Sequence, residues 1–438
     1  MFDIVGKYGT AHVYADQLEP SCVAQVTQMM NHPAFTQPVA IMPDAHAGIG
    51  SVVGFTMPLR DKVVPNVVGV DIGCGMLAAN FGPKLLFRFG FDELDRQIRA
   101  RVPFGFAVHD HSTMDTFRWA HATQAWRTFC QACQARLGFL PEAAPYDVAW
   151  FERKIAQIKC PPERAWGAVG TLGGGNHFIE IDRDETSGDL WVVIHTGSRK
   201  LGESVCKFWQ DRAARYDFRT EIARIKEKYP PREIAAQINR LRGERGRIPA
   251  AMAWLDLPGD GVEYMRDMLF AQQYAEENRS RILAEIVEVL QAAPIDQFQC
   301  VHNFIDPQDM IVRKGAINAS AGVRCLVPLN MAQGALLGVG KGNAAWNYSA
   351  PHGAGRAMSR SQAKQTLSLD AFKAQMQAAG VWSSSICAST LDEAPGAYKD
   401  WQAIFTGVGD TMDVQVHLKP VFNMKDVGGK PSWAKKGA

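Results

Sequence analysis

Residues 38–80 read PVAIMPDAHAGIGSVVGFTMPLRDKVVPNVVGVDIGCGMLAAN. Short runs rich in Val, Ile, Phe and Met alternate here with turns carrying Gly, Asp and Pro, the pattern of strands joined by tight connections. Asp44, His46, Asp71 and Cys74 fall at the ends of those runs, where a scaffold presents chemistry to solvent or ligand. The same alternation returns in WGAVGTLGGGNHFIEI (166–181), in LWVVIHTGSRKLG (190–202), over 297–357, and in one last strand-like stretch at 408–425. Between these lie helical tracts: FDELDRQIRARV from 91, WAHATQAWRTFCQACQARL from 119, and a charged pair of helices split by Pro230 and Pro231. The segment 261–290 is strongly amphipathic and predicts one long helix packed on the core. Strands and helices interleave without a regular repeat. The expected class is α+β, with layered mixed sheets around a central cleft and helices outside.

Composition narrows the setting. Of 438 residues, 47% are apolar and 21% charged, which excludes disorder as the main state. Lys plus Arg number 47 against 45 Asp plus Glu, so a globally basic nucleic-acid coat is excluded while a local basic site is not. Nine cysteines are odd in number and too sparse for a disulfide scaffold, which leaves them free for metal or redox work. The start lacks a basic and then apolar leader, and no apolar run reaches the roughly 18 residues of a membrane span. A cytoplasmic protein without a membrane partner is expected. No linker divides the chain, so one domain is expected over 1–425, with helical insertions at about 91–140 and 203–247 and a tail at 426–438.

Four of the 11 histidines share an unusual setting. His177, His195, His302 and His352 each end an apolar run or follow a glycine cluster. One histidine so placed is ordinarily a satisfied core residue. Four of them, joined by the Asp71-Ile-Gly-Cys74 turn, make a ligand set for a borderline divalent ion such as Zn or Mn. Glycine-rich turns at 170–177, 195–202, 313–322 and 352–360 expose backbone N–H groups suited to phosphate oxygens. Arg199, Lys314, Arg356 and Arg360 lie in or beside them and supply cationic donors. These residues point to a metal-dependent enzyme acting on phosphates. The C-x-x-C pair Cys130/Cys133 sits inside a helical run with no second pair nearby, and reads as two core thiols on one turn.

MPDAHAGIGS, VVGVDIGCGM, GTLGGGNHFIEI, HTGSRKLG, HNF, RKGA, HGAGRAMSR and EAPGAYKD together resemble the RtcB-type RNA ligases, in family order from about residue 40 to 425. The resemblance implies an enzyme that joins an RNA 3′-phosphate or 2′,3′-cyclic phosphate to a 5′-hydroxyl, using GTP and two Mn²⁺ ions. It implies Asp71, Cys74, His177, His195 and His302 as metal ligands, and His352 as the histidine that becomes guanylylated, oriented by Asp44. It further implies guanosine nucleotide contacts from Asn176, Glu180, Asn303, the Gly353-Ala354-Gly355 turn and Lys425. Arg199, Lys314, Arg356 and Arg360 would bind RNA phosphates. Broken RNA ends, such as tRNA or rRNA fragments, are the implied partners, with room for an activating protein.

Some blocks depart from the family pattern. VPLNMAQG (327–334) replaces a P-G-S-M-G turn that contacts the nucleotide, and 13 residues follow Lys425 where family chains often stop. Lys200 stands where Gly is common, and Gly396 where a bulkier residue is. A divergent branch with its own RNA target is expected. Two other readings stay open: a metallophosphoesterase that uses no nucleotide, and a non-catalytic RNA-binding descendant.

Overall fold

The expected strands assemble into two main sheets in the computed structural model, which describes residues 1–428 except 86, 217, 247, 401 and 403–406. Of the expected tail, 429–438 lie outside the described residues. A six-stranded sheet runs in the order Phe2–Val5, Thr10–Val13, Val39–His46, Val53–Pro58, Ile311–Lys314, Asn303–Ile305. A seven-stranded sheet runs Asp296–Val301, Gly75–Asn80, Leu190–Thr196, Phe178–Asp184, Met412–Met424, Ala335–Gly340, Arg324–Pro328. Pairing is antiparallel throughout the two sheets except between Thr10–Val13 and Val39–His46. The fold is α+β, as the sequence pattern predicts.

The amphipathic segment forms a 31-residue helix, Asp260–Leu290. Its first half, with Met268, Phe270 and Tyr274, joins the core under the six-stranded sheet. Its last turns, with Ile282, Ile286 and Leu290, join the core against the seven-stranded sheet. One helix therefore braces both sheets through burial of its apolar stripe.

Helices Phe91–Arg101 and Trp119–Leu137 fill the first helical tract, while Arg199–Ala214, Phe218–Lys228 and Pro231–Arg245 cover the second. Pro231 opens its helix at the first position, where a missing N–H costs nothing. Cys130 and Cys133 are buried in Trp119–Leu137, and burial pushes their thiols up to about 11 and about 12. They are core thiols. No described helix is long and apolar enough to cross a membrane.

Candidate functional site

Strand register gathers the first candidate ligands. Met76, His195 and Phe178 are paired neighbours across three adjacent antiparallel strands. Cys74 and His177 lie just before the strands that begin at Gly75 and Phe178, so both reach the sheet end at which His195 sits. Cys74 Sγ is 3.2 Å from His195 Nε2 and 3.6 Å from His177 Nε2. Asp71 Oδ2 lies 2.9 Å from His177 Nε2. His302 comes from the point where the chain leaves one sheet for the other, and its Nε2 is 3.4 Å from that of His195.

These groups suit a cation. Cys74, His177 and His195 place their donor atoms within 4.8 Å of one another, all buried. Burial drives His195 and His302 well below their ordinary 6.5, so both imidazoles are neutral and carry free lone pairs. His177 Nδ1 lies 2.9 Å from Leu172 O and His195 Nδ1 lies 3.1 Å from Asn176 O. A carbonyl only accepts, so Nδ1 carries a proton in both rings, and Nε2 of each faces the shared centre. Burial raises Asp71, but His177 and Arg199 outweigh it and hold the carboxyl at about 2. Burial and Asp71 push the Cys74 thiol well above its usual range; a bound metal would displace that proton.

Two residues that motif reading missed hold the ligand loops. Asn278 and Arg279 are fully buried on the long helix. Asn278 Oδ1 accepts from Gly170 N (2.8 Å) and Thr171 N (2.9 Å), while Nδ2 donates to Thr171 O (3.1 Å) and Gly197 O (3.0 Å). Arg279 Nη1 donates to Gly73 O (2.7 Å) and Thr196 O (2.8 Å). The available signal was a polar pair on a helix face whose periodicity calls for apolar residues. Gly73, at φ +71°, lets the DIGC turn lie against this helix; a Cβ there would meet Gln272 Cα and Ala275 Cβ at 2.9 Å.

His352 follows the short strand Ser349–Pro351, and its ring centroid is 5.1 Å from that of His302. Asp44, fully buried, places Oδ2 at 2.8 Å from His352 Nδ1. The approach needs Gly355: at φ +67°, its Cβ would sit 2.7 Å from Asp44 O. Beyond His352 opens a cavity of about 210 Å³ lined by Asn176, Glu180, His352, Gly353, Ala354, Gly355 and Lys425. Asn303 does not line it: Oδ1 accepts from Gly315 N (2.9 Å) and Nδ2 donates to Asp71 O (3.4 Å). The turn at 327–334 supplies Pro328, Leu329, Asn330 and Met331 to the wall. Asn330 Oδ1 accepts from Ala332 N and Gln333 N at 3.0 and 3.1 Å, so this amide holds its own turn.

The profile of the family described as tRNA-splicing ligase RtcB matches residues 25–426. The chain belongs to the RtcB family. It is 29% identical over 435 residues to the RNA-splicing ligase RtcB of Escherichia coli (strain K12), covering 93% of this chain and 95% of that protein. To the tRNA-splicing ligase RtcB of Aeropyrum pernix it is 27% identical over 429 residues, with 82% of each chain covered. The RNA-splicing ligase RtcB of Mycobacterium bovis is 27% identical over 441 residues, covering 86% of this chain and 93% of that one. These values make it a divergent RtcB protein.

The predicted phosphate-binding cations of this RtcB protein do not share one place. Arg356 and Arg360 converge on Glu393, with Nη1 to Oε1 distances of 3.4 and 2.6 Å. Lys425 Nζ donates to Glu393 Oε2 (3.2 Å) and Asn176 O (3.1 Å), and Tyr398 OH donates to Glu393 Oε2 (2.7 Å). Glu393 is the hub of this group, and sequence reading quoted its block without assigning it a part. Asn423, also missed, pairs across the sheet with Glu180 and donates to it at 2.6 Å. Lys314 is buried, donating to Ile49 O, Asn66 O and Ser51 O at 2.5, 3.0 and 3.2 Å. Burial lowers it to about 8. Arg199 lies on the far side of the ligand cluster, where Nε donates to Thr171 Oγ1 (3.1 Å) and Nη2 to Gly105 O (2.6 Å).

Proposed function

We propose that this chain is a GTP- and Mn²⁺-dependent RNA ligase, acting in the cytoplasm in RNA repair or tRNA splicing. It would join a 3′-phosphate or 2′,3′-cyclic phosphate end to a 5′-hydroxyl end through a guanylylated His352. The observation that carries this reading is the place of His352, between the buried ligand cluster and the cavity wall formed by Asn176, Glu180 and Lys425. The names of the curated relatives support an RNA substrate.

Asp71, Cys74, His177, His195 and His302 would hold the metal pair, whose charge neutralises phosphate oxygens and aligns attacking and leaving groups. Asp44 keeps the proton on His352 Nδ1, so Nε2 attacks the α-phosphorus of GTP; an N–P bond forms and pyrophosphate leaves. A 2′,3′-cyclic end is first opened by water to the 3′-phosphate and 2′-hydroxyl; an oxygen of the RNA 3′-phosphate then takes the GMP from Nε2, breaking the N–P bond and creating an activated end. The 5′-hydroxyl attacks the 3′-phosphorus, loses its proton, and expels GMP. Glu180 and Lys425 would receive the base, and Arg356 and Arg360 would stabilise charge on phosphate.

Incubation with Mn²⁺ and α-labelled GTP should label the wild-type chain and leave His352→Ala unlabelled. An unlabelled wild type, or a labelled variant, overturns the reading. The apolar 327–334 wall, with the Asn330 amide engaged in its own turn, favours a second reading: a phosphoesterase without nucleotide. Ring-opened RNA without joined strands or any need for GTP would decide for it.

A further inference from the structure

The ligand cluster faces two openings. One is the cavity at His352. The other is a separate cleft of about 370 Å³, whose lining includes Asp71, His177, Phe106, Arg164, Arg199 and Lys200. Phe106 is 85% exposed, the most exposed large apolar side chain among the described residues. An exposed Phe ring beside a candidate ligand cluster leaves apolar area that an occupant would bury.

The ring is fixed. Gly105 N donates to Gly173 O (2.9 Å), tying the loop to the glycine turn that carries His177. Arg199 Nη2 donates to Gly105 O (2.6 Å), and Arg164 Nη1 donates to Phe106 O (2.9 Å). The Arg164 guanidinium lies 5.7 Å from the Phe106 ring centroid and has no carboxylate partner among the described residues. Glu203 and Asp426 also line the cleft, and Glu203 pairs with Lys200 at 3.1 Å, so Arg164 is the cation left for a ligand. An unpaired guanidinium and an apolar face beside two candidate ligands match a nucleotide: phosphate against Arg164 and the metal site, base against the ring. Stacking tolerates any base, because each has a π face. Lys200 also lines the larger groove beside the charged helices, which gives a strand a way out of the cleft.

We infer that Phe106 is the stacking platform for the terminal base of the RNA strand whose 3′-phosphate enters this cleft, with Arg164 on its backbone phosphate. The inference rests on the RNA-joining reading above. It concerns how the strand is held and leaves the guanylylation of His352 untouched.

The probe is a short RNA carrying a 3′-phosphate and 2-aminopurine as its last base, mixed with the full chain and Mn²⁺. Wild type should quench the fluorophore on binding. Phe106→Ala should bind about tenfold or more weaker, as expected for loss of one stacked base, with the quench lost. Its labelling by α-labelled GTP should equal that of wild type, and Phe106→Trp should restore both affinity and quench. Undiminished quench and affinity in Phe106→Ala overturn the inference, and so does quenching only by an RNA with 2-aminopurine at a 5′-hydroxyl end. A wild type that quenches the probe yet takes no GMP supports the platform while removing the ligase reading.

Discussion

Asp44 Oδ2 lies 2.8 Å from Nδ1 of His352, with the carboxylate wholly buried and the ring at the cavity. A carboxylate at this distance favours a proton on Nδ1, which would leave Nε2 free to attack in the proposed reaction. Asp44→Ala should slow GTP labelling by about a hundredfold or more, the scale of a lost positioned proton partner. Nucleotide affinity, measured by titration with GMP, should change little. A labelling rate equal to wild type would reduce Asp44 to a packing residue.

Glu393 holds Lys425 and Arg360 beside the cavity. Burial would raise its carboxyl, but Lys425 and Arg360 outweigh it and hold the group at about 2, below its ordinary 4.5. A depressed carboxyl adds stability that is complete above its unfolded value and is lost as pH falls from there through the folded value. Removing it leaves Lys425 buried and unpaired, a loss of about 3–5 kcal/mol. Glu393→Ala should therefore unfold at markedly lower temperature than wild type at pH 7, and this gap should shrink between pH 4.5 and about 2. An equal gap across that range would refute the assignment.

Glu180 has the opposite sign. Burial lifts it to about 7, and burial with Glu180 alongside raises Asp182 further. A raised carboxyl binds its proton more tightly in the folded state, so its stabilisation is complete below 4.5 and is lost as pH rises through about 7. The wild type should lose stability relative to Glu180→Gln by up to about 1.4 kcal/mol per pH unit over that interval, with a constant difference above it. Denaturant midpoints at pH 5, 6, 7 and 8 check this, and a flat difference would exclude the shift.

The candidate metal cluster was legible because it lies at strand ends, where local pattern and chemistry coincide. Cys74 and His177 adjoin apolar runs that can only be strands, and register then brings them to His195. The long helix was equally visible, since its apolar stripe persists through 31 residues. Lys314 shows where local reading ends. A lysine after an apolar strand and before glycine resembles a phosphate donor, yet three carbonyls from 49–66 enclose it. Those carbonyls are remote in sequence, and only tertiary packing reveals them. Glu393 escaped for the same reason: its meaning lies in Arg356, Arg360 and Lys425, which the chain supplies from both sides.

Asn278 gives the sharpest test of the support behind the ligand loops. Its amide is the partner of two N–H and two C=O groups in the 170–171 and 197 backbone, all with buried contacts. Asn278→Ala strands these groups without solvent, at about 1–3 kcal/mol each where no relaxation occurs. The loops carry His177 and adjoin His195, so loosening them separates the donor atoms. Mn²⁺ affinity, read by calorimetric titration, should fall by about 10–100-fold, the usual scale for lost outer support of a metal site. Asn278→Asp retains the acceptor for Gly170 and Thr171 N–H but places a carboxylate oxygen against Thr171 O and Gly197 O, so it should not rescue. Wild-type Mn²⁺ affinity in either folded variant would mean that the donors are held by the sheet alone.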